Sequence, residues 1–495
     1  MPLVEAVFEE NVSLKEELAN VKEQLAQANV LIDWLKKQMY GGGKGERQDA
    51  LQLQLKLKEL EALKADLEEQ ERISYDRTKK KPRCLPADRF DDLPVKEQVT
   101  IDPDEVILNP DAYRRIGEET TFEVEITPPK LYKREIIRPK YRLKADRSVA
   151  PIVARAKARV IEGSYASAGL ISWVLVSKYW DHLPLYRQEK MLKRWGAEIP
   201  RQTMSDWVAK SSSLLEVIYW KLRDGLMGGG YIQIDETPVR FVDPDIKKGK
   251  SAKGYFWLMG HPEKGVFMHW DRSRGQAVAT ELLDGFSGLI QTDGYAGYNE
   301  VSARSDVERA ACLAHCRRKF TEALASEKVA PQFILRLIGN IYHIEKEIAQ
   351  VEDSKQQLHL KQRDLAPIFA LLKKSALLLR ERSRPESLLG KACSYLLGQW
   401  DGIEVILKSP VAKLDNNFIE NAVRPTALGK KNWLFIGAPD AGKRSAVIYS
   451  LLLTCKCFNV DPQAYLKDVL ERLPAMTNQD DFDQLLPQNW KPSDS

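Results

Sequence analysis

Tyr231-Ile232-Gln233-Ile234-Asp235-Glu236-Thr237-Pro238-Val239-Arg240-Phe241 is the stretch from which the rest of the chain is read. Tyr231, Ile232 and Ile234 favour extended backbone, and Gly228-Gly229-Gly230 breaks whatever precedes them. A short apolar run bounded by glycines and a proline predicts a buried strand. Asp235 and Glu236 stand together at its end, although a solvated turn would hold two carboxylates at lower cost. A carboxylate near the end of a central strand faces the crevice where α/β proteins do their chemistry. A second reading stays open at this point, in which Asp235 only caps the turn at Thr237-Pro238.

Downstream, Gly254–Met259 and Gly265–Trp270 read as two more strands joined by a short turn, and Gln276–Asp284 as a helix. Leu289–Tyr295 is a further apolar strand carrying Asp293 near its end. Val307–Leu313 is a fifth strand, after which His315-Cys316-Arg317-Arg318-Lys319-Phe320 opens a helix. The order βββαββ(α), with aspartates ending the first and fourth strands, is the plan of an RNase H-like core. From Thr321 to about Lys408 the sequence turns helical, rich in Leu, Lys and Glu, and reads as an insertion. Beyond it, Asn417, Glu420, Asn421 and Arg424 share one helix face at i, i+3, i+4 and i+7. Asn417 and Glu420 also fit a capping box, which would make Glu420 purely structural. Pro425 would kink that helix one turn later.

Upstream, Leu14, Leu18, Val21, Leu25, Ala28, Ile32, Leu35 and Met39 repeat in steps of four and three, a heptad pattern that predicts a coiled coil. Gly41-Gly42-Gly43 ends it, and a second helix follows from Ala50 to about Gln70. Residues 76–86 form a basic, proline-containing linker, and Thr121–Ile126 alternates as in a small β-rich module. Between Lys130 and Arg159 eleven cations stand against Glu135 and Asp146, with Tyr132 and Tyr141 among them. Such a basic stripe predicts phosphate contact. Ser167–Trp180, Leu185–Trp195 and Gln202–Leu215 read as three helices with helix-turn-helix punctuation.

The composition bounds the alternatives. At 495 residues the chain exceeds one core, and 43% hydrophobic with 29% charged residues is ordinary for a soluble globular protein. The net charge of +5 is too small to point to a partner by itself. No apolar run approaches the ~20 residues that span a bilayer, and no signal peptide is visible, so a cytoplasmic location is expected. Six scattered cysteines with no CxxC pair give no disulfide framework and suit a reducing compartment.

On Tyr231–Phe241, Leu289–Tyr298, Ala311–Phe320, Asp415–Gly437 and Asn459–Leu470, the chain resembles the transposases of the IS66 family, DDE-type enzymes with an RNase H-like core. With the N-terminal heptads these stretches span nearly the whole chain. The resemblance implies an α/β RNase H-like catalytic core with a large helical insertion, an N-terminal coiled coil, a small β-rich module and a helix-turn-helix-like DNA-binding region. The expected divisions are residues 1–40, 41–86, 87–150, 151–228, 229–320, 321–409, 410–455 and 456–495. It implies that Asp235, Asp293 and Glu420 are a catalytic, metal-binding triad for two Mg²⁺ ions, with Mn²⁺ able to substitute. Two such ions activate the attacking oxygen and stabilise the leaving oxygen, so no covalent enzyme nucleophile is needed.

DNA contacts are expected from Arg138, Lys140, Arg142, Arg240, His315, Arg317, Arg318, Lys319, Arg424, Lys430, Lys431 and Lys443. The expected partners are DNA (terminal inverted repeats and target), a second copy through the coiled coil, and accessory proteins encoded by the same element. A nucleoid-associated bacterial protein, without a membrane partner, is the corresponding location. One departure stands out: the family usually carries a zinc module after the coiled coil, yet residues 1–181 hold Cys84 as their only cysteine and no histidine. No zinc is expected there or elsewhere in the chain. Cys312-Leu313-Ala314-His315 resembles the Cys-x-x-His of several DDE families, and is read as a packing cysteine with a phosphate- or metal-proximal histidine.

Two other function classes compete. Gly437-Ala438-Pro439-Asp440-Ala441-Gly442-Lys443-Arg444 nearly matches a phosphate-cradling loop and follows what reads as an apolar strand, Trp433–Ile436. A transposition-associated ATPase would use it, but Arg444 occupies the metal-binding Ser/Thr position and the B-like strand precedes the loop. A non-catalytic DNA-binding regulator would need no carboxylate triad.

Overall fold

A computed structural model describes residues 104–108, 110–112, 130–141, 152–243 and 251–492. The heptads, the second helix, the basic linker, Thr121–Ile126 and Arg142 lie outside the described residues. The chain divides into a unit of residues 1–130 and a unit of residues 131–495. In the first, the described elements are a short helix α1 (Asp104–Leu108) and a 3₁₀ turn, Pro110–Ala112, inside the region expected to be β-rich. The second opens with β1 (Lys140–Tyr141) paired antiparallel to β2 (Ile152–Val153), both exposed.

Three helices follow: α2 (Ala168–Tyr179), α3 (Leu185–Arg194) and α4 (Arg201–Met227). Ser167 starts α2 by accepting a hydrogen bond from the Leu170 amide, the usual N-cap device. The sequence predicts that the third helix stops at Leu215, yet α4 runs on to Met227. Ile218, Leu222 and Leu226 continue the helical apolar spacing and are fully or almost fully buried, so nothing ends the helix before Gly228. Tyr219 stacks on Phe267 with ring centroids 4.4 Å apart and donates to the Met268 carbonyl at 3.1 Å. The far half of α4 is therefore a core helix of the sheet.

The sheet comprises β3 (Tyr231–Phe241), β4 (Ala252–His261), β5 (Gly265–Asp271), β6 (Gly288–Thr292) and β7 (Val307–Ala311) in the order β5-β4-β3-β6-β7. The first three are antiparallel to their neighbours, whereas β6 pairs parallel to β3 and β7 parallel to β6. Helix α5 (Gln276–Leu282) crosses from β5 towards β6, and a 3₁₀ turn (Ala296–Tyr298) with α6 (Asn299–Ser302) connects β6 to β7. The predicted order of elements holds, but β6 ends at Thr292, which leaves Asp293 just past the strand.

Strand alternation sends successive side chains to opposite faces, and each face is covered. Ile232 and Ile234 join the core built with α2, α4 and the two C-terminal helices, α14 (Pro439–Cys457) and α15 (Pro462–Arg472). Tyr231 and Leu289 join a second core with the helices after β7. These are α7 (Leu313–Ala323), α8 (Val329–Ile348), α9 (Ser354–Leu360), a π turn (Lys361–Leu365), α10 (Ala366–Arg382), α11 (Leu388–Gly398) and α12 (Trp400–Glu404). The stretch expected to be helical is helical, with a core of its own. Lys361 is buried there, pairs with Glu345 at 3.2 Å and donates to the Ala412 carbonyl at 2.7 Å, tying the insertion to its exit segment.

Helix α13 (Asn417–Trp433) passes through Pro425 and continues for two more turns. Trp433–Ile436 is consequently not the strand that the apolar run predicts. Leu434 ends the helix at φ 61°, and the Ile436 amide then bonds the Arg240 carbonyl at the end of β3. The loop-like glycine run fares similarly: α14 already starts at Pro439, and Gly442 is buried against Trp270. The outer edge of the sheet is closed by α14, whose Ser450 and Thr454 hydroxyls accept from the Met268 and Val266 amides at 2.8 and 3.1 Å. Among the described residues no helix is long and apolar enough to cross a membrane.

Gly288 opens β6 at φ +125°, and a Cβ there would meet the Gly230 carbonyl oxygen at 2.2 Å. Gly288→Ala should lower stability by about 2–4 kcal/mol, because neither backbone can move without breaking the β3–β6 ladder. Gly225→Ala on α4, with nothing within 4 Å, should leave stability equal or slightly higher. Urea unfolding midpoints of the two variants check the contrast.

Candidate active site

The site is assembled by two buried glutamines. Gln233 on β3 donates to the Asp415 carbonyl at 3.1 Å and accepts from the Ile419 amide at 3.3 Å. Gln291 on β6 brackets Lys413, accepting from its amide at 3.1 Å and donating to its carbonyl. Asn416 adds a 2.7 Å bond to the Ile234 carbonyl, and the Leu313 amide bonds the Leu414 carbonyl at 2.9 Å. The segment 413–419 is therefore laid across the ends of β3, β6 and β7. That places the first turn of α13, with Glu420, beside Asp235 and Asp293.

The three predicted carboxylates are close enough to feel one another. Burial first, and then the charges of Glu236, Asp293 and Glu420, push the Asp235 carboxyl up to about 7, against a single hydrogen bond from the Glu236 amide at 2.8 Å. Asp293 Oδ1 accepts from the Tyr295 amide at 2.9 Å. Arg309 fixes the same turn, donating to the carbonyls of Asp293 and Tyr295 and to Thr292 Oγ1.

Glu420 is half-buried. Its two oxygens lie 3.6 Å from His315 Nδ1 and 3.7 Å from Arg318, in ion-pair range but too long for hydrogen bonds. Both His315 Nδ1 and Glu420 Oε1 are shielded from water without a hydrogen-bond partner. The capping-box alternative is not the arrangement found. Helix α13 begins at Asn417 with Asn416 at the N-cap position and no side-chain cap, while Asp415, one residue earlier, accepts from the Asn417 amide at 3.0 Å. Asp415 is further engaged by the Asn417 side chain at 2.6 Å and by Tyr342.

Several residues of the site escaped the sequence reading. The Glu236 side chain is only 1% exposed, pairs with Arg274 and accepts from the Tyr298 hydroxyl at 2.6 Å. Arg274 lies over the Tyr295 ring, 3.9 Å from its centre, and Tyr295 donates back to the Arg274 carbonyl at 2.6 Å. A closed circuit thus runs from the residue after Asp235 to the residues after Asp293. The available signal was the second carboxylate in Asp235-Glu236, which has to be compensated if buried. Arg274, Tyr298 and Arg309 carry no local pattern that marks them.

Among the described residues, one trio of metal-ligand types brings its atoms within 4.8 Å of one another: Cys312, His315 and Glu420. Asp235 and Asp293 do not join that tight group. Burial pushes the Cys312 thiol up to about 12, partly offset by the amides of Asn416 and His315.

The cations expected at DNA are mostly on the surface. Arg317, Arg318, Lys319, Arg424, Lys431 and Lys443 are exposed, as are Arg138, Lys140 and Arg240. Lys319 pairs with Glu322, Arg240 donates to Ser251, and Arg138 donates to the Ala154 carbonyl. Lys430 is half-buried and donates to Thr237 Oγ1 at 2.9 Å, while burial lowers its pKa.

The sequence model of the family described as "Transposase IS66 family" matches residues 163–444, and that of the "IS66 C-terminal element" matches residues 450–488. Among curated relatives, the uncharacterized protein y4jD of Sinorhizobium fredii is 32% identical over 397 residues, covering 77% of each chain. The uncharacterized proteins y4qI and y4hP of the same organism are 28% and 25% identical, covering 76% and 91% of this chain and 72% and 86% of their own.

The raised Asp235 gives a stability test in metal-chelated protein. The folded chain keeps a proton that the unfolded chain releases between its ordinary value, 3.8, and about 7, so wild-type stability falls as pH rises through that window. Asp235→Asn should be the more stable protein at pH 8, by roughly 1–3 kcal/mol, with the gap closing towards pH 4. Chemical denaturation at the two pH values reads it, and a gap that does not depend on pH would contradict the assignment.

Proposed function

The chain belongs to the IS66 transposase family, and from that premise we propose that it binds the terminal inverted repeats of its insertion sequence and cuts and joins DNA by direct phosphoryl transfer. The observation that carries this reading is the convergence of Asp235, Asp293 and Glu420, from three distant stretches, where burial and the neighbouring carboxylates raise the Asp235 carboxyl above its usual range. The strand order β5-β4-β3-β6-β7, antiparallel for three strands and parallel for two, supports an RNase H-like core. In this reading residues 229–320 and 410–455 form that core, and residues 321–409 are its insertion.

The donor set fits a hard divalent cation. It is made of carboxylate oxygens, one of them the unpartnered Glu420 Oε1. Asp235, Asp293 and Glu420 would hold Mg²⁺ (or Mn²⁺), which when bound polarises the scissile phosphate and activates the attacking hydroxyl. The protein's own part is positioning. The glutamine clamp sets Glu420 against the sheet, the Glu236–Arg274–Tyr298 circuit holds the aspartate turns, and Arg309 pins the backbone of Asp293. Arg317, Arg318, Arg424 and Lys431 are exposed cations suited to phosphate oxygens. The basic stretch 130–159 and the helices α2–α4 would carry the DNA-end contacts, and the N-terminal heptads the pairing of two copies.

The test is strand cleavage of the element's own ends by purified protein with Mg²⁺ and no nucleotide. Asp235→Asn, Asp293→Asn and Glu420→Gln should each reduce cleavage at least ~100-fold while end binding stays within a few-fold. Ca²⁺, with its looser coordination, should support binding without cleavage. Near-normal cleavage by Glu420→Gln would remove that residue from the triad and turn attention to Asp415.

A further inference from the structure

We propose that Cys312, His315 and Glu420 form a second cation site for a thiophilic divalent ion of the Zn²⁺ or Co²⁺ class, sharing Glu420 with the oxygen ligands Asp235 and Asp293. Spacing in the sequence supplies only Cys312 and His315, on one helical turn. The fold supplies the third ligand, because the first turns of α7 and α13 meet where segment 413–419 crosses the sheet ends.

Four features fit a ligand set rather than ordinary packing. The three ligand atoms lie within 4.8 Å of one another. Tetrahedral zinc bonds of about 2.0–2.3 Å place ligand atoms roughly 3.3–3.8 Å apart, so side-chain rotation of about an ångström closes the site. His315 Nδ1 and Glu420 Oε1 face each other at 3.6 Å, both cut off from water and both without a hydrogen-bond partner. An ion between them would give each the partner it lacks, whereas an unfilled pair of this kind is costly. Cys312 Sγ accepts from the Asn416 amide at 3.3 Å, a backbone donor of the kind that supports a metal-bound thiolate. Finally, Cys312 is the N-cap residue of α7, where the helix dipole favours negative sulfur.

Binding exchanges one proton for the ion: the Cys312 S–H bond is lost, a sulfur–metal bond forms, and the proton passes to solvent. Three protein ligands leave a fourth position open to water or a phosphate oxygen. Glu420 is common to both sites. On the phosphoryl-transfer reading, a thiophilic ion would therefore draw Glu420 away from Asp235 and Asp293 and compete with Mg²⁺-dependent cleavage.

The probe is Co²⁺ alone, added to the full-length protein without Mg²⁺ or DNA and followed by absorption spectroscopy and equilibrium dialysis. The expected result is a thiolate-to-cobalt charge-transfer band that saturates at one ion per chain. Cys312→Ser should abolish the band, and His315→Ala should weaken binding at least ~10-fold. Asp235→Asn and Asp293→Asn should keep it. Absence of the band, or a band that survives Cys312→Ser, overturns the proposal. If Cys312→Ser fails to fold, His315→Ala decides, and wild-type affinity in that variant is equally fatal. A protein that binds cobalt through Cys312 but cleaves no DNA would refute the phosphoryl-transfer reading and leave this site standing.

Discussion

Two amide side chains with almost no access to water hold this architecture in register. Gln233 and Gln291 are 2% and 0% exposed, and they sit on adjacent parallel strands. Buried amides must be matched, because each unsatisfied group costs about 1–3 kcal/mol. Here the match is the main chain of residues 413–419, which returns from the helical insertion. Donor and acceptor of one amide reach two successive polar groups of that segment, so a slip by one residue would orphan several atoms at once. Apolar packing alone tolerates such slips, and the choice of glutamine makes the position of α13 single-valued.

That same rigidity creates the electrostatic tension of the site. Asp235, Glu236, Asp293 and Glu420 are brought together by backbone and amide bonds that take no account of their charge. Glu236 is relieved by Arg274 and Tyr298, whereas Asp235 is left with one amide donor. Proteins usually spend stability on such crowding where a ligand is to be bound. The lysine buried under the exit of the insertion works in the opposite sense. Lys361 is matched by Glu345 and by the Ala412 carbonyl, and it is a fastening with no charge left over.

The succession of strands and helices along the chain was legible in the sequence alone, because it rests on local signals, apolar runs and breakers, whereas the order of the strands in the sheet was not. Element lengths depart from the local pattern where the terminating signal is tertiary. Helix α4 continues past Leu215 because β5 offers Phe267 and Met268 to Tyr219, and α13 continues through Pro425 because its buried Ile419, Ala422 and Thr426 face keeps contact on either side of the proline. Trp433–Ile436 has the composition of a strand, yet it joins β3 by a single backbone bond, from the Ile436 amide to the Arg240 carbonyl, without regular pairing. The Glu236 circuit was not legible, since Arg274 and Tyr298 gain meaning only when the segments after β5 and β6 meet Glu236 on β3. Glu420 was legible as a candidate but not as the partner of Cys312 and His315, which are over a hundred residues away in sequence.

The hydroxyls of Ser450 and Thr454 on the rim of β5 have a consequence for how the molecule is divided. They occupy the amides that a bare outer strand would offer to a neighbour, so the sheet is sealed on that side by its own C-terminal helix. Both residues fall within the stretch matched by the C-terminal element, while α14 itself starts inside the preceding match. The boundary between the two family segments is therefore a boundary of sequence description and not of folding. Cutting there would unseal the rim, exposing a strand able to recruit any extended chain that met it.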